Sequence, residues 1–237
     1  MKVLLVIPAY NEELNIIKTV NKVTKYNQKS KNKIDYIIIN DGSTDKTLEI
    51  CRENNYNVIN LISNLGIGGA VQTGYKYALN HNYDVAIQFD GDGQHDENYI
   101  DNLVNEIEKG ANFVIGSRFI TNLSSFRSTS MRRLGSRILS CLIKLCTGKK
   151  IYDPTSGFRA ADREVIKVFV KHYPPEYPEP QSSVELIRRG YEIKEIPVKM
   201  HNREFGTSSI KPLKSCYYMF SVSISILITS ICKKGKK

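Results

Sequence analysis

Short apolar runs alternate along this chain with stretches in which apolar residues recur every three or four positions. Val3 to Ile7, Tyr36 to Ile39, a piece around Val58-Ile59, Val85 to Phe89 and Phe113 to Gly116 have strand length. Their near-continuous hydrophobicity suits strands buried on both faces. The intervening pattern predicts helices. One opens at Asn11 or Glu12 and runs through about Val23, with Leu14, Ile17, Val20 and Val23 on one face. Others cover Thr47 to Cys51, the glycines at 66–69 to about Leu79, and Asn98 to Lys109, whose buried side is Ile100, Leu103, Val104 and Ile107. Strand and helix in alternation give an α/β fold, a mostly parallel, Rossmann-like sheet flanked by helices.

The second half is less regular. A helix headed by Arg132-Arg133 continues through Leu145, and Tyr191 to Val198 reads as a last strand. Between them lie a turn-rich loop, Asp153 to Arg159, and a proline-rich segment, Tyr173 to Gln181, read as an extended linker into a helix from Ser183 to Arg189. Residues 217–231 are apolar but shorter than the ~20 residues needed to cross a bilayer. Their Ser/Val/Ser/Ile alternation would also suit a strand.

In parallel sheets ligands bind beyond the carboxyl ends of the strands. Three polar loops fall there: Pro8-Ala9-Tyr10-Asn11-Glu12, Asn40-Asp41-Gly42-Ser43-Thr44-Asp45, and Asp90-Gly91-Asp92-Gly93-Gln94-His95. Residues two apart in an extended or tightly turned backbone point the same way, so Asp90 and Asp92 can converge. With Gln94 and His95 just beyond, they offer hard ligands of the kind Mg²⁺ or Mn²⁺ prefers. Each loop also has a plain structural reading, as an Asp-Gly turn or a helix N-cap. The glycines from Gly66 to Gly69 match neither the dinucleotide fingerprint nor the P-loop. No G-x-S-x-G elbow is present and the four histidines sit in unrelated contexts, so a hydrolase triad is not indicated.

Charge changes the picture more than composition does. A formal charge of +10 on 237 residues suggests an anionic partner: nucleic acid, an acidic membrane surface or a phosphorylated substrate. Nucleic acid is the weakest of the three, because no basic helix, aromatic-basic strand motif or zinc-finger spacing occurs. The five cysteines are odd in number and lack C-x-x-C spacing, as expected of reduced thiols in a cytoplasmic protein. The first apolar run is too short for the core of a signal peptide.

In order and spacing, Pro8-Ala9-Tyr10-Asn11-Glu12, Asn40 to Asp45, Asn64-x-Gly66 and Asp90-x-Asp92-x-Gln94 resemble the motifs of family 2 glycosyltransferases. The chain is most similar to the branch containing dolichol-phosphate mannose synthases and bacterial polyprenyl-phosphate glycosyltransferases, from residue 3 to about residue 210. The resemblance implies a GT-A fold, a nucleoside-diphosphate-sugar donor, Mg²⁺ or Mn²⁺, and inversion at the anomeric carbon. It implies that Pro8, Tyr10 and Glu12 line the nucleotide pocket and that Asp41 binds the base. The loop from Asn64 through Gly66 to Gly69 would close over that base, and Asp90, Asp92 and Gln94 would form the metal and diphosphate site.

On the acceptor side, the resemblance places Arg118, Arg132 and Ser136 where relatives meet a lipid phosphate, with the register between Arg132 and Arg133 open. Guanidinium groups match phosphate geometry. Asp153-Pro154-Thr155-Ser156-Gly157-Phe158-Arg159 is similar to a loop beside the reacting centre, which makes Ser156 and Arg159 candidate substrate-binding residues. Asp153 would orient the acceptor or act as general base, a base being needed only for a hydroxyl nucleophile. Gln181 stands where relatives often carry a carboxylate, which favours a phosphate acceptor or moves the role to Glu179 or Asp153. The basic loop His201 to Ile210, with Arg203 and Ser208, can wrap a diphosphate as a lid.

These observations lead to a GT-A domain over 1–210 and a basic, apolar segment over 211–237 that lies in a membrane interface or between subunits. The expected protein is cytoplasmic and peripheral at the inner face of the cell membrane. It moves a sugar to polyprenyl phosphate or, alternatively, to a hydroxyl of a lipid-linked saccharide. Two other classes stay open at this point: a nucleotidyltransferase, and a non-catalytic nucleotide-sugar-binding module.

Overall fold

Seven consecutive residues of β1 (Lys2–Ala9), Val3 to Ala9, are buried. The side chains of this strand alternate between two cores: Leu4 and Val6 enter one, Val3 and Leu5 the other. The computed structural model describes residues 1–120, 130–201 and 212–231, apart from the side chains of 130–132 and 212–218. Among these residues the strands are β1, β2 (Lys33–Asn40), β3 (Val58–Asn60), β4 (Val85–Gln88), β5 (Phe113–Ser117), β6 (Arg159–Asp162) and β7 (Ile193–Pro197). They form one sheet in the order β3-β2-β1-β4-β6-β5-β7.

β1 pairs in parallel with β2 on one side and β4 on the other. The strand order therefore reverses direction at β1, and the loops leaving β1, β2 and β4 meet beyond their carboxyl ends. β6 runs antiparallel between β4 and β5, and β7 is parallel to β5.

The helices are α1 (Ile16–Asn27), α2 (Thr47–Glu53), α3 (Gly66–Asn80), α4 (Ile100–Glu108), α5 (Ser130–Thr147), α6 (Arg163–Lys171), α7 (Pro178–Arg188) and α8 (Pro212–Ile231). One core joins the sheet to α3, α5, α6, α7 and α8, and contains the ring cluster Tyr75, Phe169 and Tyr173. The other lies under α4, with Ile100, Leu103, Val104 and Ile107 buried as their spacing predicts.

The elements depart from the sequence pattern at four places. α1 starts at Ile16, several residues late, because Asn11 takes a left-handed turn (φ 57°) that keeps the preceding loop irregular. Its buried face is Ile16, Thr19, Val20 and Val23, whereas Leu14 (64%) and Ile17 (42%) are exposed. Thr19 is an inward polar residue because its hydroxyl donates to the Gly91 carbonyl at 3.0 Å. β6 and α6 are additional elements: β6 is four residues long, with two alanines at its centre and no hydrophobic period, whereas α6 is amphipathic, with Val165, Ile166 and Phe169 buried. The proline-rich segment is not all linker. Pro178 and Pro180 lie in the first turn of α7, where a missing N–H forfeits no helical bond. Residues 212–231 form a helix, not a strand, and among the described residues no helix is long and apolar enough to cross a membrane.

α3 crosses β1 closely at Gly74, where an added Cβ would lie 2.1 Å from Val6 Cγ1. Gly74→Ala is expected to lower stability by about 1–3 kcal/mol through overpacking, measured by urea denaturation. Combining it with Val6→Ala should cost less than the two single losses added together.

Candidate active site

The loops after β1 and β2 are stitched together by short hydrogen bonds. The Asn11 N–H donates to Ser43 Oγ (3.0 Å) and the Thr44 N–H to Asn11 Oδ1 (2.8 Å). The Glu12 N–H donates to Thr47 Oγ1 (2.8 Å) and the Glu13 N–H to Asp45 Oδ2 (3.1 Å). Pro8 is buried at the floor and Tyr10 is exposed at the rim. The Glu12 carboxylate accepts from Asn15 Nδ2 at 2.7 Å.

Asp41 is buried, and its Oδ1 accepts the Leu65 N–H at 2.7 Å, tying the third wall to the other two. Gly66 is left-handed (φ +76°) with open space around it. Gly68 has a packing role, since an added Cβ would lie 2.4 Å from the Pro174 and Pro175 carbonyls, and Gly69 abuts the Leu65 side chain.

The acidic turn after β4 is similarly braced. Asp90 Oδ1 accepts from Gln88 Nε2 (3.0 Å), and Asp92 Oδ1 accepts the Gln94 N–H (3.0 Å). His95 anchors the turn. Its Nδ1 accepts the Asp90 N–H (3.1 Å), which puts the ring proton on Nε2, 3.5 Å from Asp90 Oδ2. The ring stacks on Phe158 at 4.8 Å. His201 arrives from beyond β7: its N–H donates to the Gln94 carbonyl (2.8 Å), and its Nε2 lies 3.6 Å from Asp96 Oδ2. The sequence puts His201 near a predicted site but assigns it no role, because no local pattern relates positions 107 residues apart.

The donor set suits a hard cation. Asp90, Asp92 and Gln94 bring carboxylate and amide oxygens to one turn. The Gln94 amide nitrogen is directed at the His201 carbonyl (3.4 Å). Among the described residues no three His, Cys, Asp or Glu side chains are grouped to hold an ion by themselves. Two carboxylates completed by phosphate oxygens and water are an ordinary way to hold Mg²⁺.

On the other side, Arg118 and Asp153 form a buried bidentate pair. Nε meets Oδ2 and Nη2 meets Oδ1, each at 2.7 Å, and the Arg118 N–H also donates to Oδ2 (3.0 Å). Burial disfavours the charged guanidinium, but the adjacent carboxylate outweighs it and holds the Arg118 pKa above its ordinary value. Both Asp153 oxygens are engaged and the residue is fully buried. Glu195 braces the same loop by accepting the N–H groups of Tyr152 (2.7 Å) and Asp153 (2.9 Å).

Ser156 and Arg159 correct the sequence expectation. Both are wholly buried. Ser156 donates to the Gly116 carbonyl (2.6 Å), while Arg159 donates to the carbonyls of Pro154, Ser156 and Glu179. They hold the loop and α7 in place instead of facing a substrate, because β6 directs Arg159 inward beneath the sheet. Gln181 is also turned away, accepting from Ser225 Oγ of α8 at 2.8 Å. Glu179 lies beside Gln88 and Asp90, and burial pushes its carboxyl pKa up against the opposing effect of Arg159.

Beside the Arg118–Asp153 pair opens a cavity of about 740 Å³ whose lining includes Arg118, Arg133, Ser136, Arg137, Lys144 and Lys150. Arg133 is among the described residues that line it. The Arg132 side chain, Arg203 and Ser208 lie outside the described residues. The two halves of the site touch at Gly157, where an added Cβ would come within 2.9 Å of Asp90 Oδ2 and Gln88 Nε2.

A mostly parallel sheet with an acidic turn at its switch point and an adjoining basic cavity is an α/β fold of GT-A type. Residues 4–169 match Glycosyl transferase family 2, and the chain belongs to that family. It is 27% identical to the polyprenol monophosphomannose synthase of Mycolicibacterium smegmatis, over 94% of this chain and 86% of that protein. It is 32% identical to the UDP-N-acetylglucosamine--dolichyl-phosphate N-acetylglucosaminyltransferase of Methanococcus voltae, over 85% and 86% of the two chains. In fold it is similar to glucosyl-3-phosphoglycerate synthase of Mycobacterium tuberculosis, solved with Mn²⁺, UDP and glucosyl-3-phosphoglycerate. There the TM-score is 0.71 and the identity 20%, covering 97% of this chain and 79% of that one. Family membership makes this protein a glycosyltransferase and sets aside the nucleotidyltransferase and the non-catalytic module.

Asp153→Asn should strand a buried guanidinium and cost about 3–5 kcal/mol, read as a fall in the urea midpoint accompanied by loss of transfer. Glu179 titrates above its unfolded value, so its favourable contribution is complete below the ordinary glutamate pKa of about 4.3 and is lost as pH rises through the folded pKa. The stability of Glu179→Gln relative to the parent should therefore increase from acid toward neutral pH in paired denaturation curves.

Proposed function

We propose that this glycosyltransferase moves one sugar, with inversion, from a nucleoside-diphosphate sugar to polyprenyl phosphate at a membrane surface. The observation that carries the reading is the basic cavity beside Arg118 and Asp153. Cationic side chains gathered round a volume of this size suit a phosphate monoester with room for an attached chain. Transfer would form a bond between an acceptor phosphate oxygen and the anomeric carbon. It would break the bond from that carbon to the donor diphosphate, releasing a nucleoside diphosphate.

A phosphate is already ionised at neutral pH, so no base is required of the chain. The engagement of both Asp153 oxygens and the outward turn of Gln181 agree with that requirement. Asp153 fixes Arg118, and Arg118, Arg133 and Ser136 orient the acceptor. Pro8, Tyr10, Glu12, Asp41, Gly66 and Gly69 belong to the walls around the base and ribose, and Arg203 and Ser208 would close over the diphosphate. Asp90, Asp92 and Gln94 would hold Mg²⁺ or Mn²⁺, which when bound neutralises the donor diphosphate and the departing charge. The relatives named for polyprenol monophosphomannose and dolichyl phosphate, and the Mn²⁺ and UDP of the structural neighbour, support this reading.

A second reading, transfer to a hydroxyl of a lipid-linked saccharide, has one observation in its favour. Glu179 stands beside Asp90 with a raised pKa, as a general base would.

Mass spectrometry of products from a panel of donors with a lipid phosphate should find the sugar joined to phosphate; a sugar on a hydroxyl would favour the second reading. Asp92→Asn should lose most turnover at limiting Mn²⁺, and full turnover there would remove the metal assignment. Arg137→Ala should raise the KM for the acceptor about tenfold, near the loss of one charge-assisted hydrogen bond, with the donor KM unchanged in steady-state kinetics.

A further inference from the structure

Glu195 of β7 is a carboxylate beside the site to which the proposed transfer gives no part. It pairs in register with Ile115 of β5, the strand that delivers Arg118. Alternation along β7 puts Glu195 on the same face of the sheet as Ile193, which enters the core shared with α5. Both its oxygens go to main chain: Oε2 accepts the Tyr152 N–H at 2.7 Å and Oε1 the Asp153 N–H at 2.9 Å. Among the described residues no cation forms an ion pair with Glu195. Lys149 and Lys194 approach Glu192 instead.

A two-oxygen clamp on adjacent N–H groups fixes the peptide planes on either side of Tyr152, since each plane is rigid. The side chains of both clamped residues then have set starting points. Asp153 forks onto Arg118 Nε and Nη2, each at 2.7 Å. Tyr152 lines the basic cavity. Lys150 Nζ lies 4.2 Å from its ring centroid, and its carbonyl accepts from Ser136 Oγ at 3.5 Å. Arg118, Ser136 and Lys150, three residues of the cavity wall, are therefore each one contact away from the pair that Glu195 holds.

The clamp has a cost. Burial pushes the Glu195 carboxyl pKa up and the nearby Asp153 carboxylate adds to the shift, while the two N–H groups and Arg159 oppose it. A neutral side chain would avoid that cost, but only a carboxylate offers two acceptor oxygens and no donor.

We propose that Glu195 is a positioning residue for the acceptor: by clamping Tyr152 and Asp153 it sets the aim of Arg118 and the place of Tyr152 in the cavity wall, without touching substrate. The inference rests on the acceptor reading of that cavity.

The test is steady-state kinetics of the full chain with the most active donor of the panel and farnesyl phosphate as acceptor. The amide of Glu195→Gln has one oxygen for two N–H groups. This variant should raise the acceptor KM about tenfold, near the loss of one hydrogen bond to a charged group, and leave the donor KM unchanged. Loss of folded enzyme lowers the measured turnover and leaves both KM values alone, so the split separates positioning from stability. Arg118→Lys keeps the charge but not the planar fork. In that background Glu195→Gln should add far less to the acceptor KM, because the group it aims is already lost. Glu195→Asp keeps the charge with a shorter reach, and it carries the same expectation should the glutamine variant not fold.

An unchanged acceptor KM in the Glu195 variants, an equal rise in both KM values, or full additivity with Arg118→Lys overturns the proposal. So does the same rise in Glu192→Gln, which would make the effect one of general surface charge. If the parent transfers only to the hydroxyl of a lipid-linked saccharide, the acceptor reading fails, and the same split measured with that saccharide still decides the role of Glu195.

Discussion

The antiparallel insertion of β6 between β4 and β5 is the constraint on which the site depends. The register sets Gln88 of β4 opposite Arg159 of β6. The residues just before Arg159 must then run alongside those just after Gln88. Gly157 lands on Asp90 with no space for a side chain, and Phe158 stacks on His95. A one-residue slip would turn Arg159 to the opposite face of the sheet and leave it without its carbonyl partners. One strand of four residues thereby joins the acidic turn to the loop from Asp153 to Arg159.

That join is held by buried charge. Arg159 and Asp153 are fully shielded from solvent and Arg118 nearly so. Each such group is costly to desolvate and is tolerated only when its hydrogen-bonding capacity is filled. Here the filling is done by the loop and the first turn of α7, through the carbonyls of Pro154, Ser156 and Glu179 and the bidentate Arg118–Asp153 contact. The polar residues that give the loop its catalytic look are in large part those that keep it folded. Most of the described groups that line the cavity come instead from α5, a helix with core on one side and arginine, lysine and exposed leucine on the other.

Much of the fold was legible because buried parallel strands must be apolar throughout, and five of the seven were read from such runs. β6 was not, since two alanines between an arginine and an aspartate carry no hydrophobic period. α1 was rotated in the reading because Leu14 and Ile17 fit the helical spacing as well as Ile16 and Thr19 do. The packing of Ile16 with Ile7, Ala9 and Ile38 and the hydrogen bond from Thr19 to Gly91, which spans 72 residues, distinguish the two faces.

By itself the sequence determined the family, the three nucleotide-side loops and the acidic turn. Those features depend on residues close together in the chain, whose backbone geometry is local. The tertiary structure alone decided which polar residues line a cavity and which are spent on the fold. It turned Ser156, Arg159 and Gln181 inward or aside, brought Arg133, Arg137, Lys144 and Lys150 around one cavity, and set His201 beside Gln94. Burial and pairing over long sequence separations make those decisions, and they exist only once the chain has closed around its two cores.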